Sequence, residues 1–127
     1  MNTNSQNLPS IAKSIALADP SNDLNGYLRL IRSLPLLTAE EEMELARRYH
    51  EHQDLRAAEQ LVLFNLRHVV PIVRSYKGYG LPEADLMQEG SIGLMKAVKR
   101  FDITAGVRLM TFASHWIRAE INEYILK

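Results

Sequence analysis

Glu83-Ala-Asp-Leu-Met-Gln-Glu-Gly-Ser-Ile-Gly-Leu-Met-Lys-Ala-Val-Lys-Arg-Phe101 runs for nineteen residues without a proline. Its apolar residues Leu86, Ile92, Leu94, Met95 and Val98 leave polar positions between them, the pattern of an amphipathic helix and not the strict alternation of a strand. Gly90 and Gly93 lie inside it, at a cost of about 1 kcal/mol each relative to alanine. Interior glycines of this kind let a backbone come close, either from a neighbouring helix of the same core or from a partner.

Working outward, a turn around Asp102 to Gly106 leads to a last helix that starts near Met110 or Thr111 and still reads as helical at Lys127. It carries no Gly, Asn or Pro stop, which reads as a truncation of something longer. Upstream, Asp54 opens a long amphipathic stretch whose buried face is Leu55, Ala58, Leu61, Val62, Leu66, Val69, Val73 and Tyr76. Pro71 falls within it and predicts a bend, with Gly78 and Gly80 ending the helix. Thr38 followed by Glu41 is a capping box for a helix over 39–50, and its glutamates suit the positive end of that helix. Asp23 can cap a shorter helix bearing Leu24, Tyr27, Leu28 and Ile31, which ends near Pro35. Residues 1–22, rich in Asn, Ser and Pro, read as a mobile tail before a helical unit over 23–127. The fold class expected is therefore all-α, a compact unit of about five helices.

At 127 residues the chain can bury one modest core. It has no cysteine, which excludes disulfides, thiolate metal sites and thiol nucleophiles. It also has no phosphate-cradling glycine loop and no nucleophile elbow, so no enzyme, cofactor or metal is expected. His50 and His52, two residues apart, point to different sides of a helix and read as solvent-exposed residues and not metal ligands. With no long apolar run and no signal core, the expected location is the cytoplasm, without membrane insertion.

The net charge is zero but unevenly spread. Residues 1–90 carry nine Lys/Arg against twelve Asp/Glu, and residues 91–127 carry six against three. In the basic part, Phe112, His115, Trp116 and Tyr124 stand among Arg108, Arg118, Asn122 and Lys127. Stacking on an aromatic plane stabilises an unpaired base by roughly 1–3 kcal/mol while cations hold phosphates, so the mixture suits single-stranded DNA. Phe112, Trp116 and Tyr124 also fall at four- and eight-residue spacing, and that spacing equally describes a helix's core stripe. A helical protein-interaction adaptor or regulator without DNA binding is the rival reading.

The run from Asp85 to Phe101 closely resembles the core-binding helix of bacterial primary-type sigma factors, and Asn65-Leu-Arg-His-Val-Val70 resembles the segment before it. The resemblance extends from about Asn25 to Lys127, and Gly106-Val-Arg-Leu-Met-Thr-Phe-Ala-Ser-His-Trp-Ile-Arg-Ala-Glu-Ile-Asn-Glu-Tyr-Ile125 looks like the heat-shock class. It implies an all-helical unit that docks on a coiled coil of the largest subunit of RNA polymerase core and recognises the minus-ten element of promoter DNA, including its single-stranded non-template strand. Chaperones and proteases that regulate heat-shock sigma factors are candidate further partners.

Carried over by position, the resemblance assigns core binding to Leu66, Val69, Asp85, Leu86, Gln88, Glu89 and Met95. It places Phe112, His115 and Trp116 at the pocket that receives a flipped base. Ala119, Asn122 and Glu123 fall at the face reading the duplex edge. Lys96, Arg100, Arg108 and Arg118 fall where the backbone is held, and Asn65 joins the DNA-binding set. Where housekeeping members have paired tryptophans this chain has His115-Trp116, and where they have aromatics it has Val107 and Leu109. That departure implies less stacking area, weaker spontaneous melting and a stricter promoter demand. The segment from Asn25 to about His52 resembles the region that touches discriminator DNA, though its acidic run from Glu40 to Glu44 argues against direct contact there.

Overall fold

The computed structural model describes Pro20 and residues 22–127. The tail expected over residues 1–22 thus lies outside the described residues, apart from Pro20 and Asn22. Five α-helices follow among the described residues: α1 (Leu24–Ser33), α2 (Ala39–His52), α3 (Leu55–Arg74), α4 (Glu83–Arg100) and α5 (Leu109–Leu126). The all-α expectation is met.

Local chemistry starts three of these helices where the residue types predict. Asp23 Oδ1 accepts from Gly26 N–H at 2.9 Å at the head of α1. Thr38 and Glu41 form the reciprocal capping box of α2, with Glu41 N–H to Thr38 Oγ1 at 3.1 Å and Thr38 N–H to Glu41 Oε1 at 2.8 Å. Asp54 Oδ1 accepts from both Arg56 and Ala57 N–H in α3. Each such cap supplies orphan amides at a helix start and is worth about 1 kcal/mol.

The far ends differ from expectation. α2 runs on to His52 and stops because Gln53 turns into the left-handed region at φ 51°. α3 passes through Pro71 and ends at Arg74, before the two glycines. There Ser75 N–H is shared between the carbonyls of Pro71 and Ile72, and the chain tightens into a 3-10 turn, Lys77–Tyr79. Gly80 closes that turn at φ 71°.

α3 is the hub, packing on all four other helices, and the most extensive single pairing is α4 on α5. Close packing of α4 on α5 at one glycine, and on α3 at the other, explains both glycines of α4. A Cβ on Gly93 would lie 2.6 Å from Ile117 Cα and 2.8 Å from the Trp116 carbonyl. One on Gly90 would lie 2.7 Å from a Val69 methyl. The close approach therefore comes from helices of the same core. Ile31, Leu61, Val69, Val73, Leu86, Met87, Leu94, Val98, Leu109, Ile117 and Ile121 are its largest fully buried side chains, each worth roughly 1.5–3 kcal/mol of transfer free energy.

Candidate functional site

Two surfaces flank α4. The first is an open, mostly apolar groove of about 650 Å³ between α3 and α4, whose walls include Leu55, Val62 and Leu66 on one side and Gln88, Ile92 and Met95 on the other. Large apolar side chains are left in contact with water here: Leu55 is 69 % exposed, Met95 46 % and Ile92 39 %. Exposed apolar residues gathered into a groove mark a binding surface, whereas scattered ones do not.

Of the residues expected to bind polymerase core, Leu66, Gln88, Glu89 and Met95 line this groove. Leu66 is only 5 % exposed and forms its floor. Val69 and Leu86, at 0 % and 2 %, are core residues instead, because they sit under Gly90 and in the α3–α4 contact, where no partner reaches them. Asp85 lies apart and half-buried, its Oδ2 accepting from the Tyr124 hydroxyl at 3.3 Å. Burial and the nearby Asp85 and Glu89 carboxylates hold the Tyr124 phenol above its usual range. Leu55, expected in the buried face, is corrected to the groove's rim, since it is the first residue of α3 and lies beyond the core. Leu55, Val62 and Ile92 are the groove residues that sequence reasoning did not assign to a site, because an apolar residue on a helix does not show in sequence whether it faces core or groove.

The second surface is an aromatic edge on the opposite flank of α4, built with α5. Phe112 packs on Phe101 at 5.8 Å between ring centroids and on Trp116 at 6.3 Å. His115 lies nearly parallel to Trp116, 24° between planes and 6.2 Å apart, and is exposed. The Arg100 guanidinium, arriving from α4, sits 4.9 Å from the centroid of the Trp116 ring, a cation–π contact. Phe112 and Trp116 are half-buried, and the Trp116 Nε1 atom has no protein hydrogen-bond partner although buried.

The aromatic residues of α5 are neither fully buried nor all exposed: Phe112, Trp116 and Tyr124 are half-buried and His115 is exposed. The true core stripe of α5 is Leu109, Ala113, Ile117 and Ile121, all 0 % exposed, and the aromatic set is displaced by one position to the margin of that stripe. There one ring edge seals the core while the other meets solvent.

The basic residues divide. Arg100 caps the aromatic edge, and Arg118 is exposed with no ion-pair partner among the described residues. Lys96 Nζ is held by Glu120 at 2.8 and 3.0 Å. Arg108, expected on phosphate, is turned inward: Nε donates to Glu42 Oε2 at 3.1 Å and a terminal nitrogen donates to the Leu37 carbonyl at 3.0 Å. Ala119, Asn122 and Glu123 are exposed along α5, spaced so as to share a face with His115 and Arg118. Asn65 is corrected from a DNA contact to a core residue: it is 3 % exposed and its amide donates to the Leu61 carbonyl at 2.8 Å, so it is spent within α3.

Sequence reasoning placed Glu42 only among the glutamates that suit the positive end of α2. Glu42 is 3 % exposed, and besides Arg108 it accepts from the Leu109 backbone N–H at 2.8 Å. Nothing local distinguishes it from its exposed neighbours Glu40, Glu41 and Glu44, because the groups that bury it lie more than sixty residues away. Among the described residues no group of three His, Asp or Glu side chains is placed to hold a metal ion, and no helix is long and apolar enough to cross a membrane.

Comparison with known proteins places this geometry. The family described as Sigma-70 region 2 matches residues 61–127, which carry most of both surfaces, and Sigma-70 factor region 1.2 matches residues 25–55. RNA polymerase sigma factor RpoH of Zymomonas mobilis is 50 % identical over 123 residues, covering 97 % of this chain and 40 % of that protein. The chain thus spans less than half the length of this curated relative.

Proposed function

The chain belongs to the sigma-70 family, and on that premise we propose that it is the part of a heat-shock-class sigma factor that binds RNA polymerase core and recognises and helps melt the promoter minus-ten element in the cytoplasm. The single observation that carries the DNA half is the Arg100 guanidinium lying over Trp116 at the exposed aromatic edge. A cation and three ring systems brought together from two helices offer stacking planes for unpaired bases beside a partner for their phosphates. The groove supports the other half: its apolar wall with Gln88 and Glu89 at the rim suits a helical coiled coil, read through anchors along α4.

The groove residues proposed for polymerase are Leu66, Gln88, Glu89 and Met95, joined by Leu55, Val62 and Ile92. Phe112, His115 and Trp116 are proposed to receive the flipped base, Arg100 and Arg118 to hold the backbone, and Ala119, Asn122 and Glu123 to read the duplex edge. Chaperones and proteases as regulators belong to the same proposal.

Fluorescence polarisation with a non-template minus-ten oligonucleotide, with and without polymerase core, tests it. We expect strong, sequence-dependent binding only with core. Trp116→Ala should weaken oligonucleotide binding about tenfold or more, as loss of one stacked base predicts, with core affinity intact. Met95→Asp should do the reverse. A helical adaptor without DNA binding would give no sequence-dependent polarisation under either condition.

A further inference from the structure

Helix α5 begins without a cap of its own. Arg108 holds the N-cap position and its side chain accepts no bond from the first turn, and a guanidinium has no acceptor to offer. The leading amides of a helix nevertheless need partners, above all where they are buried. Leu109, which is 0 % exposed, has its N–H satisfied from 67 residues upstream by Glu42 Oε2 at 2.8 Å. A carboxylate there also meets the positive end of the helix. The same oxygen takes Arg108 Nε, and Arg108 reaches on to the Leu37 carbonyl. One buried carboxylate of α2 therefore secures both the first amide of α5 and the cation next to it.

We infer that Glu42 is a positioning residue for the aromatic edge: it fixes the first turn of α5, which carries Phe112 and leads into the turn that carries His115, and it withholds Arg108 from DNA phosphates. This rests on the DNA-binding reading above and extends it by making α2 part of the frame of that edge. The ion pair itself is asymmetric, since the Arg108 side chain is 50 % exposed and that of Glu42 only 4 %. Arg108 can leave for an outside anion, whereas Glu42 cannot leave without stranding Leu109.

The two roles separate chemically. Glu42→Gln keeps an oxygen for the Leu109 amide but removes the charge that holds Arg108. Glu42→Ala removes both. The experiment uses the chain assembled with polymerase core and a forked minus-ten probe, duplex upstream and single-stranded downstream, titrated across a salt series, with hydrogen exchange read at the Leu109 amide. Glu42→Ala should speed exchange at Leu109 tenfold or more and weaken probe binding by a similar factor. Affinity for core should stay within twofold, because the groove contains neither Glu42 nor α5. Glu42→Gln should keep the amide protected and steepen the salt dependence of probe binding by about 0.7–0.9 in log–log slope, one additional phosphate. Arg108→Ala added to it should cancel that steepening.

Parallel loss of core and probe affinity in both variants would reduce Glu42 to a stability residue and overturn the inference. So would an unchanged salt slope in Glu42→Gln, which carries the test alone if the alanine variant does not fold. Wild-type protein that fails to bind the probe with core present would overturn the underlying reading together with this one, and that result is recognised without any variant.

Discussion

His115 is exposed and lies nearly parallel to Trp116, so an imidazole is the outermost ring of the edge proposed to receive a base. An imidazole offers less stacking area than an indole, and stacking energy follows area and polarisability. Replacing His115 by tryptophan is expected to raise permanganate reactivity of non-template minus-ten thymines in open complexes, by about fivefold if the larger ring contributes roughly 1 kcal/mol. Unchanged reactivity would refute the idea that this position limits melting. Residue types at this scale were legible wherever the chemistry is local: Asp23, Thr38 and Asp54 cap the helices they precede. Asn65 and Arg108 were not, because a polar residue on a helix gives no sign of which way it faces. Asn65 turns to a carbonyl of its own helix, and Arg108 turns to a carboxylate sixty-six residues distant.

At the scale of the element, Gly93 sets how near α4 and α5 can lie. A methyl group there would meet the Ile117 Cα and the Trp116 carbonyl, backbone atoms that cannot rotate aside. Gly93→Ala is expected to cost about 2–3 kcal/mol by overpacking, despite alanine's better helix propensity, and to lower the melting temperature by roughly 10 °C or more. Calorimetry checks it, and a stabilised variant would mean the helices are not so closely apposed. Gly90 faces a Val69 methyl that can shift, so Gly90→Ala should be milder. Helix starts marked by Asp23, Thr38 and Asp54 were readable because a capping side chain and its amide are within three residues. The start of α5 was placed one or two residues late, since its cap comes from α2 and leaves no trace nearby.

For the molecule as a whole, ionisation sets the limits of stability. Asp54 is held below its usual range, chiefly by its hydrogen bond to Arg48 and also by the Ala57 and Arg56 amides. Glu44 is lowered by Arg47, and Asp102 by Thr104. A carboxyl whose folded pKa is depressed contributes stability that is complete above its unfolded value, about 4, and is lost as the pH falls through the folded one. Tyr27 is displaced the other way: burial raises its phenol, with a hydrogen bond to Ser91 partly opposing. Its contribution is complete below the unfolded value, about 10, and is lost as the pH climbs past it. Melting temperature should therefore be flat near neutrality and fall on both sides. Asp54→Ala should lower the neutral plateau by about 1 kcal/mol of capping, and that difference should shrink toward pH 2. Tyr27→Phe should remove part of the alkaline decline. His68, which burial and the nearby Arg67 and Arg108 hold below its usual range, adds a decline that begins below its unfolded value of about 6.5, so a profile that falls between pH 7 and 9 would contradict this account. The class of fold was legible at this scale, from the helical periodicity and the capping residues. Which apolar residues turn inward was not, because that depends on what covers them: Val69 lies under Gly90 of α4, whereas Met95 is left exposed.

The Arg67 guanidinium donates to the carbonyls of Arg32 and Leu34, at 2.9 Å for the latter, closing the end of α1 from within α3. Together with the bond from Leu109 to Glu42, this makes the N-terminal pair of helices depend on partners that are synthesised later. During translation, α1 and α2 can form their caps as soon as they emerge, but the bonds from Arg67 to the end of α1 wait for residue 67, and the bond from Glu42 to the Leu109 amide waits for residue 109, to leave the ribosome. For that interval their apolar stripes, Tyr27, Leu28 and Ile31 above all, stay open to any holdase that reaches the nascent chain first.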